Sequence, residues 1–173
     1  MTGIATWVAD RLAPGTDLDQ ATALDLATAL RGTEELWRPH VRHDPGARFY
    51  HQLYRDPNVD VWLICWLAGQ STGYHDHDRS GGAVTVAEGV LAEDHFERGA
   101  DGWIREATRR HETGGGFRFD HTYIHGVRHI EQAPATSIHV YSPALWRMGH
   151  YEPDEHGVLR RIAVTYADEL IAS

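Results

Sequence analysis

What most constrains the fold of this chain is a change of pattern near Ala47. Beyond it, apolar and aromatic residues fall into short runs separated by Gly, Pro, Asp and Asn. The run VDVWLICWL (residues 59–67) is β-branched and aromatic, the composition of a well-buried strand. Further strand-like runs follow at 83–87, 90–96, 103–107, 117–119, 123–127, 136–141, 146–151 and 158–166. Many short strands punctuated by turn residues predict a sandwich or small barrel. Before Ala47 the signal is helical: Leu18, Ala21, Leu24, Ala27 and Leu30 recur at helical spacing over residues 17–30, and Gly32 stands where a helix commonly stops. A second helical piece, opened by Thr33, is expected to close before Pro39. At 173 residues one domain is expected, with a helical segment over residues 1–46 packed outside a β-barrel over residues 47–173.

Charge narrows the choice of partner. A net charge of −9 argues against nucleic acid or an anionic membrane, since both select a basic face. The single cysteine, Cys65, rules out an internal disulfide framework; inside VDVWLICWL it reads as an inert core residue. The opening stretch MTGIATWVADRLAPG lacks the pattern of a secretion signal, and no apolar run is long enough to span a bilayer. The expectation is a soluble cytoplasmic monomer.

Histidine is the anomaly, with 13 against 16 Lys plus Arg. His75 and His77 stand one residue apart in GQSTGYHDHDRSGGAVTVAEG (residues 69–89), with strand-like runs on both sides. Residues i and i+2 of a strand face the same side, so the two imidazoles can share one metal ion. The frame from Gly69 through His75 and His77 to Gly89 resembles the first cupin motif, G-x5-H-x-H-x4-E-x6-G, with Gly82 where that motif has glutamate. Gly114 and His125 keep the spacing of the second, G-x5-P-x-G-x2-H-x3-N, with Asp120, Thr122 and His129 replacing its proline, second glycine and asparagine. His121, His125, His129 and His139 all compete as third ligand; the motif spacing favours His125. His121 reads as lying in the turn before the strand, and Asp76 as pointing away from the ligands. Three neutral imidazoles without a carboxylate leave a divalent ion its full charge, and such a site favours an anionic soft donor such as a thiolate.

The segment SIHVYSPAL (residues 137–145), together with ICWLAG, HDHD and IHGVRH, resembles the cysteine dioxygenase family of thiol dioxygenases, in its bacterial form. That resemblance implies a mainly β, jelly-roll-like cupin barrel, mononuclear Fe(II) on His75, His77 and His125, and conversion of a small thiol to its sulfinic acid with O2. Ser137, His139 and Tyr141 alternate and so share a face, the serine hydrogen-bonding the imidazole and the imidazole fixing the tyrosine hydroxyl. The cysteine that cross-links the active-site tyrosine in animal members corresponds to Gly82, so no Cys–Tyr link is expected here. The family's carboxylate-clamping arginine aligns with Tyr50 or His51 in ARFYHQLYR, with Arg48 and Arg55 nearby. Tyr50, His51, Arg48 and Tyr74 are therefore the candidate substrate contacts. L-cysteine is the substrate implied by family; a mercapto acid or a thiol-histidine betaine such as ergothioneine, its cation held by aromatic faces, is the alternative. A metal-binding cupin without oxygenase activity is the competing class.

Overall fold

In the computed structural model, residues 3–100 and 104–171 are described; Trp103, the expected first residue of one strand, lies outside them. Two helices precede the sheets, α1 (Ile4–Ala9) and α2 (Gln20–Arg31). The Asp19 carboxylate caps α2, accepting from the Thr22 backbone N–H at 2.7 Å, and Gly32 ends it. Ala23, Leu26, Ala27 and Leu30 form its buried stripe. Each leucine contributes about 2 kcal/mol by leaving water, and that packing, more than a length of 12 residues, holds the helix. The piece after Thr33 departs from expectation. It is two 3₁₀ turns, Glu34–Leu36 and Arg38–His40, and Pro39 lies inside the second. Proline is tolerated there because the first turn of a helix has no internal partner for its N–H groups.

The strands are β1 (Phe49–Arg55), β2 (Asp60–Trp66), β3 (Tyr74–His75), β4 (Gly81–Glu88), β5 (Val90–Arg98) and β6 (Ile104–Glu112). They continue with β7 (Gly116–Phe119), β8 (His125–His129), β9 (Ala135–Ser142), β10 (Arg147–Pro153) and β11 (Leu159–Tyr166), after which a short helix, α3 (Ala167–Ile171), follows that the sequence pattern does not announce. All pairings are antiparallel, in two sheets ordered β1-β2-β9-β4-β7 and β11-β10-β3-β8-β5-β6.

The sheets pack face to face. Trp62, Ile64, Trp66 and Val84 of the first meet Leu91, Val127 and Met148 of the second in one apolar cluster. The other face of the first sheet, carrying Val61, Leu63, Cys65, Ala83, Ile138 and Val140, is covered by Trp7, Val8, Leu26, Leu30 and Trp37. β2 is thus buried on both faces, which is why VDVWLICWL reads as a continuous apolar run rather than an alternation. Cys65 sits in the helix-side cluster, where burial pushes its thiol pKa up. The mainly β, cupin-like architecture with helices outside is as expected. The barrel itself is two facing sheets; among the described residues no ladder joins them. No helix there is long and apolar enough to cross a membrane.

Candidate metal centre

His75 ends the two-residue β3 and stands opposite His125 of β8 in the ladder, so both imidazoles project from one face into the space between the sheets. His77 lies beyond the end of β3, a difference from the continuous strand expected for residues 75–77. The chain is held there all the same: the Asp76 N–H donates to the Gly149 carbonyl at 2.9 Å. The ring centroids of His75 and His77 are 4.8 Å apart, those of His75 and His125 4.8 Å, and those of His77 and His125 5.3 Å. Their candidate ligand nitrogens all lie within 4.8 Å of one another.

Three features suit this trio to a metal ion. All three side chains are buried. Burial, and then the neighbouring imidazoles, hold His75 and His77 well below the ordinary histidine pKa, so the neutral, ligating form is the resting one. His77 Nδ1 and His125 Nε2 are buried with no hydrogen-bond partner. Each unsatisfied nitrogen costs about 1–3 kcal/mol in the core, a penalty that coordination removes. The other candidate ligands fall elsewhere: His121 is exposed in a turn, and His129 faces the Ala133 carbonyl at 2.9 Å. His139 is engaged at both nitrogens.

Ser137, His139 and Tyr141 share the inner face of β9, as their alternation requires. Ser137 Oγ accepts from Trp66 Nε1 at 2.9 Å and lies 2.8 Å from His139 Nε2; His139 Nδ1 lies 3.2 Å from Tyr141 Oη. Because Ser137 already accepts from the indole, its own proton is free for Nε2. The imidazole then carries its proton on Nδ1 and donates to the tyrosine oxygen, which leaves the phenol O–H to donate into the cavity. Burial drives the His139 pKa down to about 3, with smaller effects from His125 and Arg48, and pushes Tyr141 up. The relay therefore has a neutral imidazole and a protonated phenol across the whole working pH range.

Two buried carboxylates lie around the site, and one of them, Glu93, meets a ligand imidazole. Asp76 turns away from the imidazoles, as expected, and its Oδ1 accepts from the Asp78 and Gly149 N–H groups at 3.0 Å each. Its Oδ2 accepts from Tyr151 and Arg161. Burial alone would raise its pKa; these bonds outweigh that and hold it below the usual carboxylate range. Glu93 of β5 is fully buried and takes bonds from Tyr123, His111 and His125. Burial opposes its ionisation, yet the bonds from His111, His125 and Tyr123 bring its pKa to about 2. Sequence reasoning missed Glu93. The available signal was its parity: Leu91, Glu93 and His95 occupy alternate, buried positions of one strand.

The histidines open onto a cavity of about 280 Å³ between the sheets. Trp62, Ile64, Val84, Leu145, Met148 and Leu170 supply its apolar wall, and Tyr141, Arg48, Tyr50, His150 and Thr165 its polar groups. Arg48 lies 5.5 Å from the Tyr50 ring centroid and 5.6 Å from that of Trp66, and its Nη1 is buried without a partner. His150, which the sequence reading also missed, is paired in register with His75 and shares its face; its Nε2 lies 2.9 Å from Thr165 Oγ1.

Two expected substrate contacts do not reach this cavity. His51 follows Tyr50 on β1 and so faces the other way, stacked on His40 with centroids 4.2 Å apart. Tyr74 precedes His75 on β3 and likewise points outward, its hydroxyl on Glu106 and its ring 5.1 Å from that of Phe96.

Solved structures with this architecture include an uncharacterised double-stranded β-helix protein of Klebsiella pneumoniae (TM-score 0.52, 20% identity, 62% of this chain and 81% of that one). A cupin superfamily protein of Desulfitobacterium hafniense is similar at TM-score 0.50 and 8% identity, over 61% of this chain and 86% of that one. A recombinant oxalate oxidase in complex with glycolate matches at TM-score 0.51 and 14% identity, over 62% and 56%. At these identities the likeness establishes the fold alone. The family is fixed by the sequence match, which runs over residues 11–154 and takes in the β1 strand, all three histidines and the Ser137–Tyr141 relay: the chain belongs to the cysteine dioxygenase type I family.

Proposed function

We propose that this chain is an Fe(II) thiol dioxygenase, taking one small thiol and one O2 to the sulfinic acid. One observation carries the reading: three buried histidines converge on a cavity whose facing wall presents the Tyr141 hydroxyl on a complete hydrogen-bond relay. The donor set fits iron, since three imidazole nitrogens and no ligating carboxylate suit a divalent transition metal and leave it charge enough to attract a thiolate. When bound, the iron supplies activation of thiol and dioxygen and the transfer of both oxygen atoms to sulfur.

The chain's own residues do the rest. His75, His77 and His125 hold the ion, and Phe119 stacks on the His77 ring with centroids 4.3 Å apart, fixing its plane. Tyr141 offers an O–H oriented before the reaction begins, and a donor of that kind stabilises negative charge as it develops. Trp62, Ile64, Leu145 and Met148 give the cavity an apolar wall, and polar contacts beside such a wall are stronger than in water.

Arg48 would hold the substrate's carboxylate. Its unpartnered Nη1 favours an anionic thiol, and both L-cysteine and a mercapto acid meet that requirement. A betaine also bears a carboxylate and is disfavoured on the ground of its cation: Tyr50, an aromatic face of the cavity, already has a guanidinium near it. The test is oxygen uptake and sulfinate formation by iron-reconstituted protein with L-cysteine, 3-mercaptopropionate, ergothioneine and uncharged 2-mercaptoethanol. Preference for L-cysteine and 3-mercaptopropionate is expected. Preference for mercaptoethanol would overturn the role of Arg48, preference for ergothioneine, which also bears a carboxylate, would overturn the exclusion of a betaine, and no uptake with any thiol would leave a cupin of another class.

A further inference from the structure

The three-histidine centre is not as bare of negative charge as its ligands suggest. Glu93 lies on β5, beside β8, and is fully buried. Its Oε1 accepts from Tyr123 Oη at 3.0 Å and faces His125 Nδ1 at 3.3 Å, while His111 Nε2 lies 3.1 Å from Oε2. A carboxylate only accepts, so the His125 proton belongs on Nδ1. The lone pair is then on Nε2, the buried atom that has no partner. One side chain thus decides both the tautomer and the orientation of a candidate ligand. His75 is backed differently, its Nδ1 facing the neutral carbonyl of Gly73 at 3.2 Å. Among the described residues, only His125 of the three meets a carboxylate.

We propose that Glu93 is a positioning residue of the metal centre, one that fixes His125 with Nε2 toward the ion and lends the site the negative charge that Gly82 leaves out of the ligand ring. The proposal rests on the reading that these histidines hold a metal. Its consequence is chemical as well as geometric. A carboxylate behind an imidazole makes that nitrogen a stronger donor, and a negative charge one residue away favours the ferric over the ferrous ion. Tyr123 and His111 hold the carboxylate in place from its other sides, which keeps it from swinging to the ion itself.

The experiment compares wild type, Glu93→Gln and Glu93→Asp, loaded anaerobically with Fe(II) and separately with Co(II). It reads metal affinity by chelator competition, the visible spectrum of the cobalt form and the midpoint potential of the iron form. Glu93→Gln is expected to lose about 10- to 100-fold in affinity, to shift the cobalt spectrum and to raise the potential. Glu93→Asp keeps the charge but draws it back, so its affinity and potential should fall between the other two; it carries the test alone if Glu93→Gln does not fold. A purely structural glutamate would lower thermal stability and leave potential and spectrum where they were. Variants with wild-type affinity, spectrum and potential overturn the assignment. Wild-type protein that retains neither ion overturns the metal centre, and this role for Glu93 with it.

Discussion

Replacing Gly82 by alanine adds one methyl group at the place where the cupin pattern has a carboxylate. Gly82 lies opposite Tyr141 in the β4–β9 ladder. A Cβ built there falls 3.0 Å from Phe119 Cζ and 3.1 Å from the Val140 carbonyl carbon, with the carbonyl oxygen nearer still. The Phe119 ring could swing, although it is stacked on His77. The Val140 carbonyl belongs to the backbone of the central strand β9, paired on both sides, and has nowhere to go without breaking register. Overpacking of this kind costs about 1–3 kcal/mol, and a backbone obstacle places Gly82→Ala at about 3 kcal/mol. For a domain of this size that lowers Tm by about 6–12 °C. Thermal unfolding followed by circular dichroism reads it directly, and metal content measured alongside tells whether Phe119 moved against His77. A Tm within about 2 °C of wild type would refute the close-approach argument. If the argument holds, glutamate or cysteine, both larger, fit worse. A site without a ligating carboxylate and without a Cys–Tyr link is then built into the approach of β4 to β9, and Gly82→Cys protein should show the unmodified intact mass.

Two further substitutions probe the cavity. Arg48→Gln should raise KM for a carboxylate-bearing thiol by about 10- to 100-fold, the worth of a charge-assisted hydrogen bond, with kcat little changed; an equal effect on an uncharged thiol would show that the guanidinium acts on packing instead. Tyr141→Phe should lower kcat by about 100-fold while iron content stays at the wild-type level, because the hydroxyl is a donor and not a ligand. Loss of iron in that variant would contradict the relay as drawn.

The parts of the site legible in the sequence are those set by short-range spacing. Ser137, His139 and Tyr141 had to share a face once β9 was recognised, whereas Trp66 reaches Ser137 through the pairing of β2 with β9, which the continuous apolar run of β2 does not announce. His75 and His77 could be paired by proximity and His125 by motif spacing. Glu93 and His150 escaped because pairing between sequence-distant strands brings them in: β5 with β8, and β10 with β3. No periodicity within one segment announces such a register. His51 and Tyr74 fall outside the cavity for another reason. Each neighbours a residue that faces the cavity, and the two-residue repeat of a strand places it outside. Pro39 shows the same limit for helices, since sequence marks it as a stop while a 3₁₀ turn accommodates it as its second residue.

The most direct test of the central claim follows the fate of oxygen. Iron-reconstituted wild type and His125→Ala are supplied with a carboxylate-bearing thiol and isotopically labelled dioxygen, and the sulfur products are weighed by mass spectrometry. The account predicts one O2 consumed per thiol and two labelled oxygen atoms in each sulfinate from the wild type, with neither iron nor product retained by His125→Ala. Disulfide with hydrogen peroxide, a sulfinate carrying a single label, or an iron-bearing and active His125→Ala would contradict it.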